Sequence, residues 1–88
     1  MGKLVSCKEI ADYVVKTVQS ESSGFQYIVL YDEIEKEFGI RLDSVVIKEI
    51  EKDLWLREEV ADIERDNGFD VVLYTDYAPN YIKSQDLS

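Results

Sequence analysis

Apolar residues recur at helical spacing near the start of the chain, where Ile10, Val14 and Val18 form one stripe with Ala11 and Val15 beside it. Ser6 stands at the N-cap position with Glu9 three residues later, the pairing of a capping box, and Val5 is placed to pack on Ile10 as a hydrophobic staple. The pattern predicts a helix ending near Ser20 and a loop over Glu21-Ser22-Ser23-Gly24, which has no apolar content. Phe25 to Val29, aromatic and β-branched, predicts a short strand that leads directly into a second helix. In that helix Ile34 and Phe38 share a face, Asp32 with Glu35 is the expected cap, and Gly39 suits the C′ position that ends it. Ile40 is expected as a buried plug in the turn, with Asp43 or Ser44 opening a third helix through Asp53.

On the third helix Ile47, Ile50 and Leu54 fall on one face, whereas Leu56, Val60 and Ile63 would continue it on the opposite face. This phase break near Trp55 predicts two elements, the second a strand from Arg57 to Asp66, with a kinked helical extension to Ile63 as the alternative. Asn67-Gly68 then predicts a two-residue type I′ turn, which needs positive φ at both positions. Such a turn sets Asp66 opposite Phe69, Arg65 opposite Asp70, Ile63 opposite Val72 and Ala61 opposite Tyr74. The strand Phe69 to Thr75 is apolar on both faces and is expected between the 57–66 strand and the short 25–29 strand. After Asp76 the chain becomes polar and carries its one proline; Tyr77, Tyr81 and Ile82 are expected to pack back. The pattern as a whole describes a single domain over 1–88, ordered over about 5–82, with 83–88 as a flexible tail.

Composition narrows the range of partners. With 88 residues, 45% of them hydrophobic, the chain can bury one small core and is not a disordered tail. Nineteen acidic against ten basic residues leave a net charge of -9, which repels phosphate backbones at long range. Only residues 1–20 escape the acidity, carrying +1. One cysteine, Cys7, forms no internal disulfide, so a reducing cytoplasm is the expected compartment. The longest apolar run, Tyr27 to Tyr31, falls far short of the roughly 20 residues that cross a bilayer. Leu4-Val5-Ser6-Cys7 superficially matches a lipoprotein box but has no apolar stretch before it, and Met1 to Ser6 fits a degenerate myristoylation pattern that matches often by chance.

Histidine is absent, which removes Ser-His and Cys-His nucleophile pairs and the HExxH zinc helix together. No carboxylate is placed by a motif and no glycine-rich phosphate loop exists, so no enzyme chemistry, cofactor or metal is expected. Asp62, Glu64, Asp66 and Asp70 alternate like the start of a calcium loop, yet glycine falls one place late and Leu73 stands where the bidentate glutamate belongs. Strand alternation explains Asp62, Glu64 and Asp66 as one solvated face of an edge strand. Cys7 at a helix start is a candidate for a lowered pKa, against its default reading as a small, partly buried residue. Trp55 is expected as a core or hinge residue, an exposed tryptophan being instead the mark of a contact site.

The residues Ile34, Phe38, Gly39, Ile40, Val45 and Leu54, with Asn67-Gly68 at a hairpin tip, lie in the order helix, short strand, helix, turn, helix, hairpin. This order resembles the winged-helix family of helix-turn-helix domains over residues 6–76. The resemblance implies an α+β, winged-helix-like fold of three helices with a small antiparallel sheet made of the short strand and the C-terminal hairpin. In DNA-binding members the third helix carries polar and basic residues to the bases; the matching positions here are Leu42, Asp43, Val46 and Ile47, followed by Glu49, Glu51 and Asp53. Nucleic acid is thus disfavoured by charge, and the expected function is that of a small acidic cytoplasmic regulatory module that binds a protein partner or its own copy as a homodimer. The expected contact residues are Val46 and Ile47 on the third helix and Tyr74, Tyr77 and Tyr81 near the end, since tyrosine is enriched where proteins meet. The alternatives are a DNA-binding regulator that gathers Lys3, Lys8 and Lys16 into a dimer, and an acidic mimic of DNA.

Overall fold

In the computed structural model, which describes residues 5–86, Ser6 accepts a hydrogen bond from the Glu9 backbone N–H at 3.1 Å and opens helix α1, Cys7–Glu21. Strand β1, Gln26–Leu30, follows, then α2, Tyr31–Phe38, and α3, Ser44–Trp55. Two further strands, β2, Val60–Arg65, and β3, Gly68–Leu73, complete an antiparallel sheet in the order β1-β3-β2. A 3₁₀ turn over Thr75–Tyr77 leads to α4, Pro79–Asp86. The fold is therefore α+β with four α-helices among the described residues, not three. The myristoylation pattern and Lys3 lie at least partly outside the described residues, as do residues 87–88 of the expected tail.

One core joins the layers: Ile10, Val14, Val15 and Val18 of α1, Ile34 of α2, and Ile50 and Leu54 of α3 pack on Val29, Val60, Ile63, Phe69, Val71 and Leu73 of the sheet. The break at Trp55 separates α3 from a strand, so the helical extension is excluded. Gly39 ends α2 in the left-handed region at φ 63°, and the Asp43 carboxylate caps α3 by accepting from the Val46 N–H at 2.8 Å. Ile40 is half-buried rather than fully enclosed.

The start of α2 differs from expectation. It has no side-chain cap, because β1 runs straight into it and the Tyr31 N–H is satisfied by the Asn67 carbonyl at 3.0 Å. Glu35 instead turns its carboxylate to the Leu42 N–H at 2.7 Å and pins the connection to α3. α4 has a similar pinning role, with the Asn80 amide donating to the Ser22 carbonyl at 2.8 Å and also reaching Gln19 and Ser20, the orphan carbonyls at the end of α1. Buried Ser22 completes that corner by donating to the Gln26 carbonyl at 2.8 Å.

The hairpin register is one residue away from the expected one. Only Asn67 takes a positive φ, 61°, and the Asp66 N–H bonds to the Gly68 carbonyl at 3.1 Å, so the connection is not a two-residue type I′ turn. Arg65 pairs with Phe69, Glu64 with Asp70 and Ile63 with Val71. A one-residue shift moves every side chain to the other face, so Ile63 lies beside Val71 in the core, and a bulge between Val60 and Asp62 lets Val60 point inward as well. Gly68 is already part of β3, opposite Leu30. A Cβ there would collide with the Val29 carbonyl and lie 2.7 Å from the Leu30 Cα. Gly68→Ala should accordingly lower stability by about 3 kcal/mol, the upper range for overpacking, whereas Asn67→Gly keeps the fold within about 1 kcal/mol; urea unfolding of the two variants checks this.

Candidate interaction surface

Helix α3 lies against α1 and β2, and this packing sorts its side chains. Val46 and Ile47, expected to be exposed contacts, are half-buried and packed against the core, because the stripe that includes Ile50 and Leu54 faces inward. Val45 is the residue left outside, 68% exposed. The carboxylates are sorted too. Glu51 bonds Arg65 of β2 at 3.1 Å and the Trp55 indole N–H at 3.2 Å, while Asp53 bonds Arg57 at 3.1 Å. Arg57, mostly buried, also reaches Asp12 of α1 at 3.3 Å and the Lys8 carbonyl at 3.0 Å, so it joins the ends of two helices. Arg41, Lys48 and Lys52 are left exposed along the outer side, with Glu49 3.9 Å from Lys52.

Beyond the end of α3 the picture is different. Leu56 is 85% exposed at the start of the loop to β2, and the carbonyl of Glu59 in that loop accepts the Tyr74 N–H at 2.9 Å. Tyr74 is itself 55% exposed, and the Tyr77 N–H bonds back to its carbonyl at 2.9 Å. Three carboxylates act on Tyr77. The charge of Glu58 above all, with Glu59 and Asp76 behind it, pushes the Tyr77 hydroxyl above the ordinary tyrosine value. The Glu59–Tyr74 hydrogen bond thus sets the segment that carries exposed Leu56 and Glu58 beside the one that carries Tyr74, Asp76 and Tyr77. Trp55, expected inside, is exposed at the end of α3, its indole tied to Glu51.

The expected contact residues do not form one surface. Val46 lies about 14 Å along the α3 axis from Trp55, whereas Tyr74 and Tyr77 adjoin the loop beyond that end. Tyr81 is half-buried and meets the Phe25 ring edge-on at 5.5 Å. Tyr31 stacks edge-on with Phe69 at 5.3 Å, and Tyr27 packs on the core, so both serve the fold. Sequence periodicity grouped Leu56 with Val60 and Ile63, but those two are buried while Leu56 is exposed, and it had no signal for Glu58 and Glu59.

The Cys7 thiol is pushed up, by burial first and then by Glu49 and Asp53, so the helix start does not yield a thiolate. Asp62 and Glu64 are exposed on β2, and Asp70 on β3 receives the Gln26 amide at 2.9 Å. Among the described residues no three Asp, Glu or Cys side chains are grouped as a metal site requires, and no helix is long and apolar enough to cross a membrane. Comparison with protein-family models, curated proteins and solved structures returned no match.

The α1 to α3 clamp has a pH signature. A hydrogen bond from Lys16, at 3.0 Å, and the Arg57 guanidinium behind it hold Asp12 below its ordinary value of 3.8. A carboxyl depressed in the folded state contributes stability above its unfolded value and loses it as pH falls through the folded one. Asp12→Asn should therefore show a shallower loss of stability than the parent chain between about pH 4 and pH 2, measured by thermal unfolding.

Proposed function

We propose that this protein is a small regulatory interaction module whose working surface is the acidic, aromatic end formed by Leu56, Glu58, Glu59, Tyr74, Asp76 and Tyr77. The partner that suits it is a protein bearing an exposed basic segment. The carrying observation is that the 2.9 Å bond from the Tyr74 N–H to the Glu59 carbonyl joins the segment of highly exposed Leu56 and Glu58 to that of half-exposed Tyr74 and Asp76, with the charge of Glu58 felt by Tyr77. A lysine or arginine stem covers apolar surface while its cation meets carboxylates and the Tyr74 ring. A titration with a lysine- and arginine-rich peptide should show binding that weakens as salt rises, and Tyr74→Ala should reduce affinity about fivefold, as a contact worth roughly 1 kcal/mol does. Absence of peptide binding at low salt, or binding indifferent to both Tyr74→Ala and Leu56→Asp, removes this surface from the proposal.

A second reading is favoured by specific observations. The element order α1-β1-α2-α3-β2-β3, the sheet order β1-β3-β2 and the left-handed Gly39 between α2 and α3 support a winged-helix-like assignment, with α4 as an addition. The engagement of Glu51 and Asp53 by Arg65 and Arg57 leaves Lys48 and Lys52 of α3, with Arg41 in the connection before it, as exposed cations, which supports a DNA contact more than the linear sequence does. Against it stand exposed Asp62, Glu64 and Asp66 on the hairpin, and the charge of -9. Duplex DNA at low salt decides between them: binding that falls steeply with salt and is lost in a Lys48→Glu, Lys52→Glu variant establishes the second reading, and no retention of DNA dismisses it.

A further inference from the structure

The sheet has two edges of different chemistry. On β2, the charges of Asp62, Glu64 and Arg65 and the bulge between Val60 and Asp62 obstruct pairing with another chain. β1, although α1 and α2 pack on it, has neither charge nor bulge: its sequence QYIVL carries no charged residue and no proline, and its register with β3 runs unbroken through Gln26 to Leu30. The Leu73 N–H bonds the Phe25 carbonyl at 2.7 Å and the Tyr31 N–H bonds the Asn67 carbonyl at 3.0 Å. Those pairs mark the odd-numbered positions as the ones bonded to β3, so the N–H and C=O of Ile28 face away from the sheet. Ile28 and Leu30 are 42% and 41% exposed. The Gln26 carbonyl already accepts from Ser22, and Leu30 leads into α2, which centres the free stretch on Ile28.

We infer that the free edge of β1 pairs antiparallel with the same edge of a second copy of this chain, about a two-fold axis at Ile28. Two three-stranded sheets then become one of six strands. This interface is separate from the acidic end and goes beyond the function proposed there. A second copy is the occupant that fits this edge, because the strand is uncharged and self-complementary about that axis: each Ile28 meets its counterpart, each Gln26 meets the counterpart of Leu30, and no like charges on the strand face each other. A basic partner is drawn instead to the carboxylates at the other surface. Two chains of -9 repel at long range, and salt screens that repulsion, so this pairing tightens as salt rises while peptide binding at the acidic end weakens.

Sedimentation equilibrium at a series of salt concentrations, from roughly 0.05 to 0.5 M, tests the interface. The expected result is a dimer whose dissociation constant falls with salt. Ile28→Lys should weaken it at least about tenfold, by setting like charges across the axis, and Leu56→Lys should leave it unchanged. In the parent chain, exchange of the Ile28 amide should slow as protein concentration rises, and this reading decides the matter even if Ile28→Lys fails to fold. A monomer throughout that salt range, a dimer that a folded Ile28→Lys leaves intact, or Ile28 exchange independent of concentration overturns the proposal.

Discussion

The burial of Phe69, Val71 and Leu73 along one face of β3 holds the two halves of this molecule together. β3 is the central strand, so its inward face meets helices while its two edges carry β1 and β2. Each of these side chains contributes about 1.5–3 kcal/mol by leaving water. Phe69 also meets Tyr31, at the first turn of α2, edge-on at 5.3 Å. Gly68 begins the same strand, and its missing side chain lets the backbone of β1 pass close by. The position of α2, and through Glu35 and Leu42 the start of α3, follows from that approach.

Ion pairs then decide what the surface looks like. A count of charges along α3 shows acids and bases mixed, but Arg57 and Arg65 draw Asp53 and Glu51 to its flanks. Arg57 is mostly buried and bonded to Asp12, Asp53 and the Lys8 carbonyl, so it braces α1 against the end of α3. Exposed carboxylates remain on α2 at Asp32, Glu33 and Glu37, on the outer face of the hairpin, and at Glu58 and Asp76. The result is a molecule with a mixed helix face, an acidic aromatic end and an uncharged strand edge.

Much of the fold was legible from local chemistry. The Ser6 cap, the apolar stripe of α1, the left-handed Gly39, the Asp43 cap and the break at Trp55 each depend on residues within one or two turns of one another. The hairpin register was not, because Asn67-Gly68 satisfies two turn geometries and the choice depends on β1 passing beside Gly68. The cap expected from Asp32 gave way to the Asn67 carbonyl for the same reason. α4 was hidden because its weak apolar pattern is supported by contacts to distant residues, Asn80 with the end of α1 and Tyr81 with Phe25.

The candidate surfaces divide along the same line. By itself the sequence determined the first three helices, the central place of the last strand and the excess of carboxylates, since periodicity, capping and charge are properties of neighbouring residues. Only tertiary structure decided which residues face outward: Val45 in place of Val46 and Ile47, Trp55 and Leu56 in place of a hinge, and Ile28 on an open edge. Exposure depends on what packs against a residue from far along the chain, and a one-residue change of register is enough to reverse it.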